Sequence, residues 1–306
     1  MTAALRLLDL PSDARVVILH ADDVGMCRGA NRAFLELARA GLIDCGSVMV
    51  PCPWFPEIAR EAVADRMLDL GVHLTLTSEW LGYRWGPVAV RGASSGLLDG
   101  DGYFHRDCLA LRAAVDPVAA EDEMRAQLDR ALAAGIDVTH IDTHMGAALV
   151  PELLPATLRI AREHNLPLLL PRDLSSYFSV LRVGDIDHGP YAEAVAEMDN
   201  AGLPVLDRFA MTPGVPTEAA DAAYASLVTP PDAGLTYVAL HPNGEEDIAD
   251  IQRDHPRARP HWRTDEFRLL GNGQCEAAIR RAGVRRLGMR ELRSLYRRGG
   301  PDQATA

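Results

Sequence analysis

The 306-residue sequence has only five cysteines, Cys27, Cys45, Cys52, Cys108 and Cys275, and no two of them stand at CxxC spacing. An odd, scattered set excludes a disulfide framework and a thiolate zinc site, and it fits free thiols in a reducing cytoplasm. No apolar run approaches the roughly 18 residues that cross a bilayer, and the start, MTAALRLLDLPSDARVV, lacks a basic segment followed by a sustained apolar core. The expectation is a soluble, unexported protein with no membrane partner. Positive charge is scarce as well: 31 Lys and Arg stand against 43 Asp and Glu, a net charge of -12. The basic cluster IRRAGVRRLGMRELRSLYRR sets its arginines at helical spacing among Leu287, Leu292 and Leu295, which reads as a solvated helix face rather than a nucleic-acid surface. Repeats, low-complexity tracts and linkers are missing too, so residues 1–306 are expected to form a single domain, with a frayed tail from residue 299.

What is present is apolar content, 48% of residues, arranged as short β-rich runs that alternate with longer stretches of helical period. That alternation predicts an α/β fold with a parallel sheet or barrel. Strands are expected at Val16 to His20, Gly46 to Val50, Leu70 to Leu76, Val138 to Thr143, Pro167 to Leu170, Val205 to Ala210, Thr236 to Leu240 and Arg286 to Gly288. RGANRAFLELARAG carries one apolar stripe, Ala30, Ala33, Phe34, Leu37 and Ala38, and stops at Gly41. DPVAAEDEMRAQLDRALAAG repeats the design with Asp116 as N-cap, Pro117 at the first helical position and Gly135 at the end. Residues 80–107 and 171–203 break the rhythm and are expected to be irregular loops of functional interest.

In parallel α/β folds, sites are built where the carboxyl ends of strands converge. Ionisable residues gather at four such ends: Asp22 and Asp23 in ILHADDVGM, His73 in GVHLTLT, His140, Asp142 and His144 in THIDTH, and His241 in VALHP. Two imidazoles and one carboxylate can hold a divalent cation and leave positions open for water and a substrate oxygen, a description met by one Asp of the pair with His73 and His144. The period of two places His140, Asp142 and His144 on one side of an extended segment. Consecutive residues point in different directions, so one aspartate can hold the metal while its neighbour takes a proton from water. Spacing alone leaves those two roles exchangeable, and it leaves open a helix N-cap at the pair, a core histidine at His73 and a loop histidine at His241. His20 is placed to orient or underlie the pair. His164, His188, His255 and His261 have no strand-end company.

Together these segments resemble the YdjC/ChbG family of carbohydrate deacetylases. The family's NADDFG, GxHLxLT, THxDSHxHxH and late HP correspond to HADDVG, GVHLTLT, THIDTHMGA and LHP here, in the same order, and RTDEFRLLGNGQCEAAIRRAGVRRLGMREL is similar to its C-terminal RxxEL helix and closing strand. The resemblance implies an irregular (β/α) barrel and one divalent metal ion, magnesium or zinc, on Asp23, His73 and His144. It also implies Asp22 as general base and hydrolysis of the N-acetyl group of an amino sugar or oligosaccharide. Looser similarity to the wider polysaccharide deacetylases implies His241 as the acid that protonates the leaving amine and Arg172 as a residue that positions the base. The chain departs from the pattern at His20, where the family has Asn, and at Gly146 and Ala148, where it has histidines read as lining a sugar subsite.

Trp80, Tyr83, Trp85, Tyr103 and Phe104 in the first long loop are read either as sugar-stacking faces or as pins that hold the loop to the barrel. Rival readings are another metal hydrolase, a non-haem iron oxygenase built on the same two histidines and carboxylate, and a non-catalytic sugar-binding protein. The sequence leaves the oligomeric state open, a homodimer included.

Overall fold

The run Val16 to Leu19 is apolar at every position because both faces of its strand are covered, and none of the four is more than 1% exposed. In the computed structural model, which describes residues 2–89, 92–172, 183–253 and 262–299, this run forms the centre of β1 (Arg15–Val24). Its companions are β2 (Cys45–Val48), β3 (Leu70–Leu74), β4 (Val138–Thr143), β5 (Arg208–Met211), β6 (Gly234–Leu240) and β7 (Arg285–Arg286). They make one sheet in the order β4-β3-β2-β1-β6-β5, with β7 beside the start of β1. All the pairings are parallel, so the carboxyl ends of the strands share one rim.

The expected strand Pro167 to Leu170 is a bridge rather than a strand. Leu169 N–H donates to Ile141 of β4, and Arg172 N–H donates to Leu206 just before β5, so this segment spans the gap between the two edge strands. Pro167 and Pro171 lack the N–H groups that a regular ladder would use. The sheet is therefore an irregular, incompletely closed barrel, in which this segment rather than a strand ladder links β4 to the start of β5. The strand expected at 205–210 begins later, at Arg208, and the last strand pairs through Arg285 and Arg286.

Helix Arg28–Arg39 follows β1, and its buried Asn31 holds the turn between them: Oδ1 accepts the Gly25 N–H at 2.7 Å and Nδ2 donates to Trp54 O at 3.0 Å. Helix Pro117–Ala133, N-capped by Asp116, sends Gln127 to the backbone of Thr75, accepting its N–H at 2.9 Å and donating to its carbonyl at 2.7 Å. From the same helix Glu123 accepts the N–H groups of Val88 and Ala89. The segment after β3 is thereby held by a helix that precedes β4.

Residues 171–203 are not wholly irregular. Helix Gly189–Asn200 lies within them, with Tyr191, Ala194, Val195 and Met198 buried at helical spacing and Pro190 in its first turn. The glycine and proline that suggest a break mark a helix start. Residues 173–182 of that stretch, His255, His261 and the tail beyond 299 lie outside the described residues.

Candidate metal centre and active site

Asp22 and Asp23 part company through the backbone. Asp23 has φ +61°, in the left-handed region that residues other than glycine seldom enter, and the β1–β2 register shifts between Ala21 and Val24. This kink sends the two carboxylates to different partners. Asp23 Oδ1 lies 3.1 Å from His144 Nδ1 and 3.5 Å from His73 Nε2, and Oδ2 lies 2.8 Å from the Arg263 guanidinium. Burial opposes ionisation of Asp23, but Arg263 and the two histidines outweigh it and hold the carboxyl well below its ordinary range. Asp22 Oδ1 meets His20 Nδ1 at 2.7 Å and accepts the Tyr237 hydroxyl at 2.8 Å, while Oδ2 lies 3.8 Å from His241 Nε2.

His73 and His144 are each held on the nitrogen that does not face Asp23. His73 Nδ1 is 2.8 Å from Asp142 Oδ2, which also accepts the Ser47 hydroxyl at 2.9 Å. His144 Nε2 is 2.9 Å from Glu79. Burial works against a charge on both rings, yet Asp142 raises His73 well above the usual imidazole value, and Glu79 and Asp23 push His144 up to about 9. The ligand atoms of Asp23, His73 and His144 lie within 4.8 Å of one another. One carboxylate and two imidazoles, each imidazole backed by a second carboxylate, suit a divalent ion. Asp142 Oδ1, buried here without a hydrogen bond, adds oxygen capacity beside the set. The residues present fit the group that the resemblance implies.

His241 closes the other side of the pocket. Its Nδ1 lies 2.9 Å from Thr212 Oγ1, which donates to Glu266 Oε1 at 2.7 Å, and its ring meets Trp262 edge-on. Burial, with help from Arg263, pushes His241 down to about 4. Burial pushes Glu266 up to about 7 against the donors gathered on it.

Beneath Asp22 a polar chain runs through the barrel interior. His20 Nε2 meets His140 Nε2 at 2.8 Å, His140 Nδ1 meets Thr139 Oγ1 at 2.9 Å, and Thr139 donates to Asp69 at 2.6 Å. Four contacts link Asp22 to Asp69, and the Tyr237 hydroxyl joins the chain at its upper end, 2.8 Å from both His20 Nδ1 and Asp22 Oδ1. Gly71 makes room for the chain, since a Cβ there would stand 2.5 Å from the His140 ring.

Five of the six expected site residues converge on one pocket: Asp22, Asp23, His73, His144 and His241. Arg172 does not join them. Its guanidinium pairs with Asp199 at 2.6 and 2.9 Å and lies 3.7 Å from Asp207, so Asp22, the base that the resemblance has Arg172 position, is not among these partners. Asp22 is positioned by His20 and Tyr237 instead. The five loop aromatics also stay out of the pocket lining. Trp85 donates to Thr77 O, Tyr83 donates to Met26 O and Phe104 is fully buried, all of which pin the loop. The aromatic ring in the pocket beside Tyr237 is Phe209, stacked on it at 5.7 Å. Of the two replaced family histidines, Gly146 lines the pocket with φ +72°, while Ala148 is buried and donates its N–H to Thr143.

Sequence reasoning missed Glu79, Thr212, Tyr237, Arg263 and Glu266. A signal existed for Tyr237, which shares the parity of Ala239 in β6 and of His241 just after it, and for Arg263 and Glu266, which are two of the three charged residues of RTDEF.

The family model described as YdjC-like protein matches residues 16–281. Two curated relatives named carbohydrate deacetylase are similar over part of the chain. The protein of Thermus thermophilus is 39% identical over 160 residues, covering 52% of this chain and 55% of that one. The protein of Brevibacillus brevis is 33% identical over 182 residues, covering 58% and 70%. The chain thus spans about half the length of the first. A solved structure described as a cellobiose-phosphate cleavage protein of Enterococcus faecalis shares the fold, with TM-score 0.71 and 22% identity over 91% of this chain and 99% of that one.

Proposed function

The chain belongs to the YdjC-like family, and from that premise we propose that it is a metal-dependent hydrolase that removes the N-acetyl group of an amino sugar or oligosaccharide. The observation that carries this reading is the convergence on one rim of a two-histidine, one-aspartate set, Asp23, His73 and His144, with a second carboxylate, Asp22, and a further imidazole, His241, facing the same pocket. The curated relatives named carbohydrate deacetylase support the substrate class.

Asp23, His73 and His144 would hold one divalent ion, magnesium or zinc, which supplies Lewis acidity to the acetyl group and the attacking water. His20 and Tyr237 occupy Oδ1 of Asp22 and leave Oδ2 to take the water's proton. His241 is neutral at rest, because burial holds it near 4, so it can act as an acid only after it receives a proton. Asp22 Oδ2, 3.8 Å from His241 Nε2, is placed to hand over the proton taken from water. His241 then gives that proton to the leaving nitrogen as the C–N bond breaks. One C–O bond forms, one C–N bond breaks, and one proton passes from water to amine. Phe209, stacked beside the pocket, offers a face to the sugar or the acetyl methyl.

The five cysteines are free and buried, which supports a cytoplasmic location. The test of the function is a panel of single N-acetylated sugars, oligosaccharides and lipid-linked sugars, with acetate and free amine both measured. Equimolar acetate and amine is the expected result. Oxygen consumption by the iron-loaded protein without acetate would assign the site to the oxygenase class instead.

A further inference from the structure

We propose that Thr212 and Glu266 are positioning residues for His241: a hydroxyl-bridged relay that fixes the proton on Nδ1 and keeps Nε2 free to receive the proton it will give to the amine. This rests on the reading of His241 as the acid. Three separate segments build the relay. Thr212 follows β5, His241 follows β6, and Glu266 comes from helix Trp262–Gly271.

The direction of each hydrogen bond follows from the count of protons. Glu266 is fully buried, and three donors aim at its carboxylate: the Thr212 hydroxyl at 2.7 Å and the Tyr224 hydroxyl at 2.8 Å on Oε1, and the His241 backbone N–H on Oε2. With Glu266 ionised, the single Thr212 hydroxyl proton goes to Glu266. The Thr212 oxygen can then only accept from His241 Nδ1, 2.9 Å away, which requires Nδ1–H. Nε2 is left with its lone pair towards Asp22 Oδ2 at 3.8 Å.

When Nε2 gains a proton the ring becomes a cation, and none of the contacts behind it has to reverse. Glu266 then places a negative charge one hydroxyl away from the imidazolium. The other charged groups acting on the ring are Asp22, Asp23 and Arg263 on the pocket side, with His73 more weakly. Burial works against the charge on Glu266, and its three donors together with the nearby Arg263 work in favour of it.

Three variants test the relay: Thr212→Val, which keeps the shape and removes the hydroxyl, Thr212→Ser, which restores it, and Glu266→Gln. The first readout is the ¹⁵N spectrum of the histidine rings in the full chain, with the His241 signals assigned by their loss in His241→Asn. The unaltered protein is expected to show Nδ1 protonated and Nε2 bare. Thr212→Val is expected to lose that preference, and Thr212→Ser to regain it. The second readout is kinetic: kcat for acetate release is expected to fall about 10- to 100-fold in Thr212→Val and Glu266→Gln, with KM changed less than about twofold and Thr212→Ser within about threefold of the original. A His241 ring protonated on Nε2 in the unaltered protein, an unchanged ring in Thr212→Val, or no rescue by serine would overturn the relay. If the unaltered protein releases no acetate from any sugar, the proposed function fails, and the spectrum still decides the relay.

Discussion

The imidazoles of His20 and His140 meet nitrogen to nitrogen, Nε2 to Nε2 at 2.8 Å, with both rings fully buried. One proton must lie between them, and the contact ties the support of Asp22 to a polar chain that reaches Asp69. His20→Asn, which installs the residue of the family pattern, shortens the side chain and leaves His140 Nε2 buried without its partner. Stability is expected to drop by about 1–3 kcal/mol, the cost of an unsatisfied buried polar group, as read from urea unfolding of the metal-free protein. A variant as stable as the parent would show that the chain is dispensable.

Asp142 Oδ2 holds His73 by Nδ1 and itself accepts the Ser47 hydroxyl. Asp142→Asn should therefore weaken metal binding about 10- to 100-fold while the three candidate ligands remain. Calorimetric titration with zinc measures this directly. Unchanged affinity would mean that His73 is oriented by packing alone.

In the metal-free protein His144 is raised from 6.5 to about 9, with burial opposing and Glu79 and Asp23 prevailing. A folded-state value above the unfolded one means that the stabilisation is complete below about pH 6.5 and is lost as pH rises through about 9. The thermal midpoint of the metal-free protein is expected to fall across that window. A proton on His144 also competes with an ion, so zinc affinity should rise with pH over the same range, and binding should release protons into weak buffers. An affinity that is flat between pH 6.5 and 9 would exclude His144 as a ligand.

Arg172 and Arg263 make opposite ion pairs. The first joins Asp199 at the surface, and the second joins Asp23 with both partners almost wholly buried, between the rings of Trp80 and Trp262. Arg172→Ala should change stability by less than about 1 kcal/mol and leave kcat within about twofold. Arg263→Ala removes one partner of a buried pair and should cost about 3–5 kcal/mol in the metal-free protein, with less loss once an ion is bound to neutralise Asp23. Chemical unfolding with and without metal separates the two.

Much of this site was legible in the sequence for a physical reason: residues that face the barrel interior recur at period two, so His20 with Asp22 and His140 with Asp142 declare a shared face. The βα rhythm located seven of the eight expected runs near strands, since buried parallel strands are apolar throughout. What stayed hidden depends on contacts between distant segments. The left-handed turn at Asp23 is invisible in a dipeptide of two aspartates, and it decides which of them faces His73 and His144. Arg172 looked suitable by similarity, yet an arginine reaches whichever carboxylate the fold brings near, and helix Gly189–Asn200 brings Asp199. That helix was itself masked by its glycine and proline start.

The most direct measurement is acetate released from an N-acetylated sugar by the protein stripped of metal, reloaded with magnesium or zinc, and altered at Asp23→Asn. The expected result is no release from the stripped protein, recovery on reloading, and neither metal binding nor release in Asp23→Asn with the fold intact by circular dichroism. Release at the original rate from the stripped protein, or from Asp23→Asn, would contradict a metal-dependent deacetylase built on Asp23, His73 and His144.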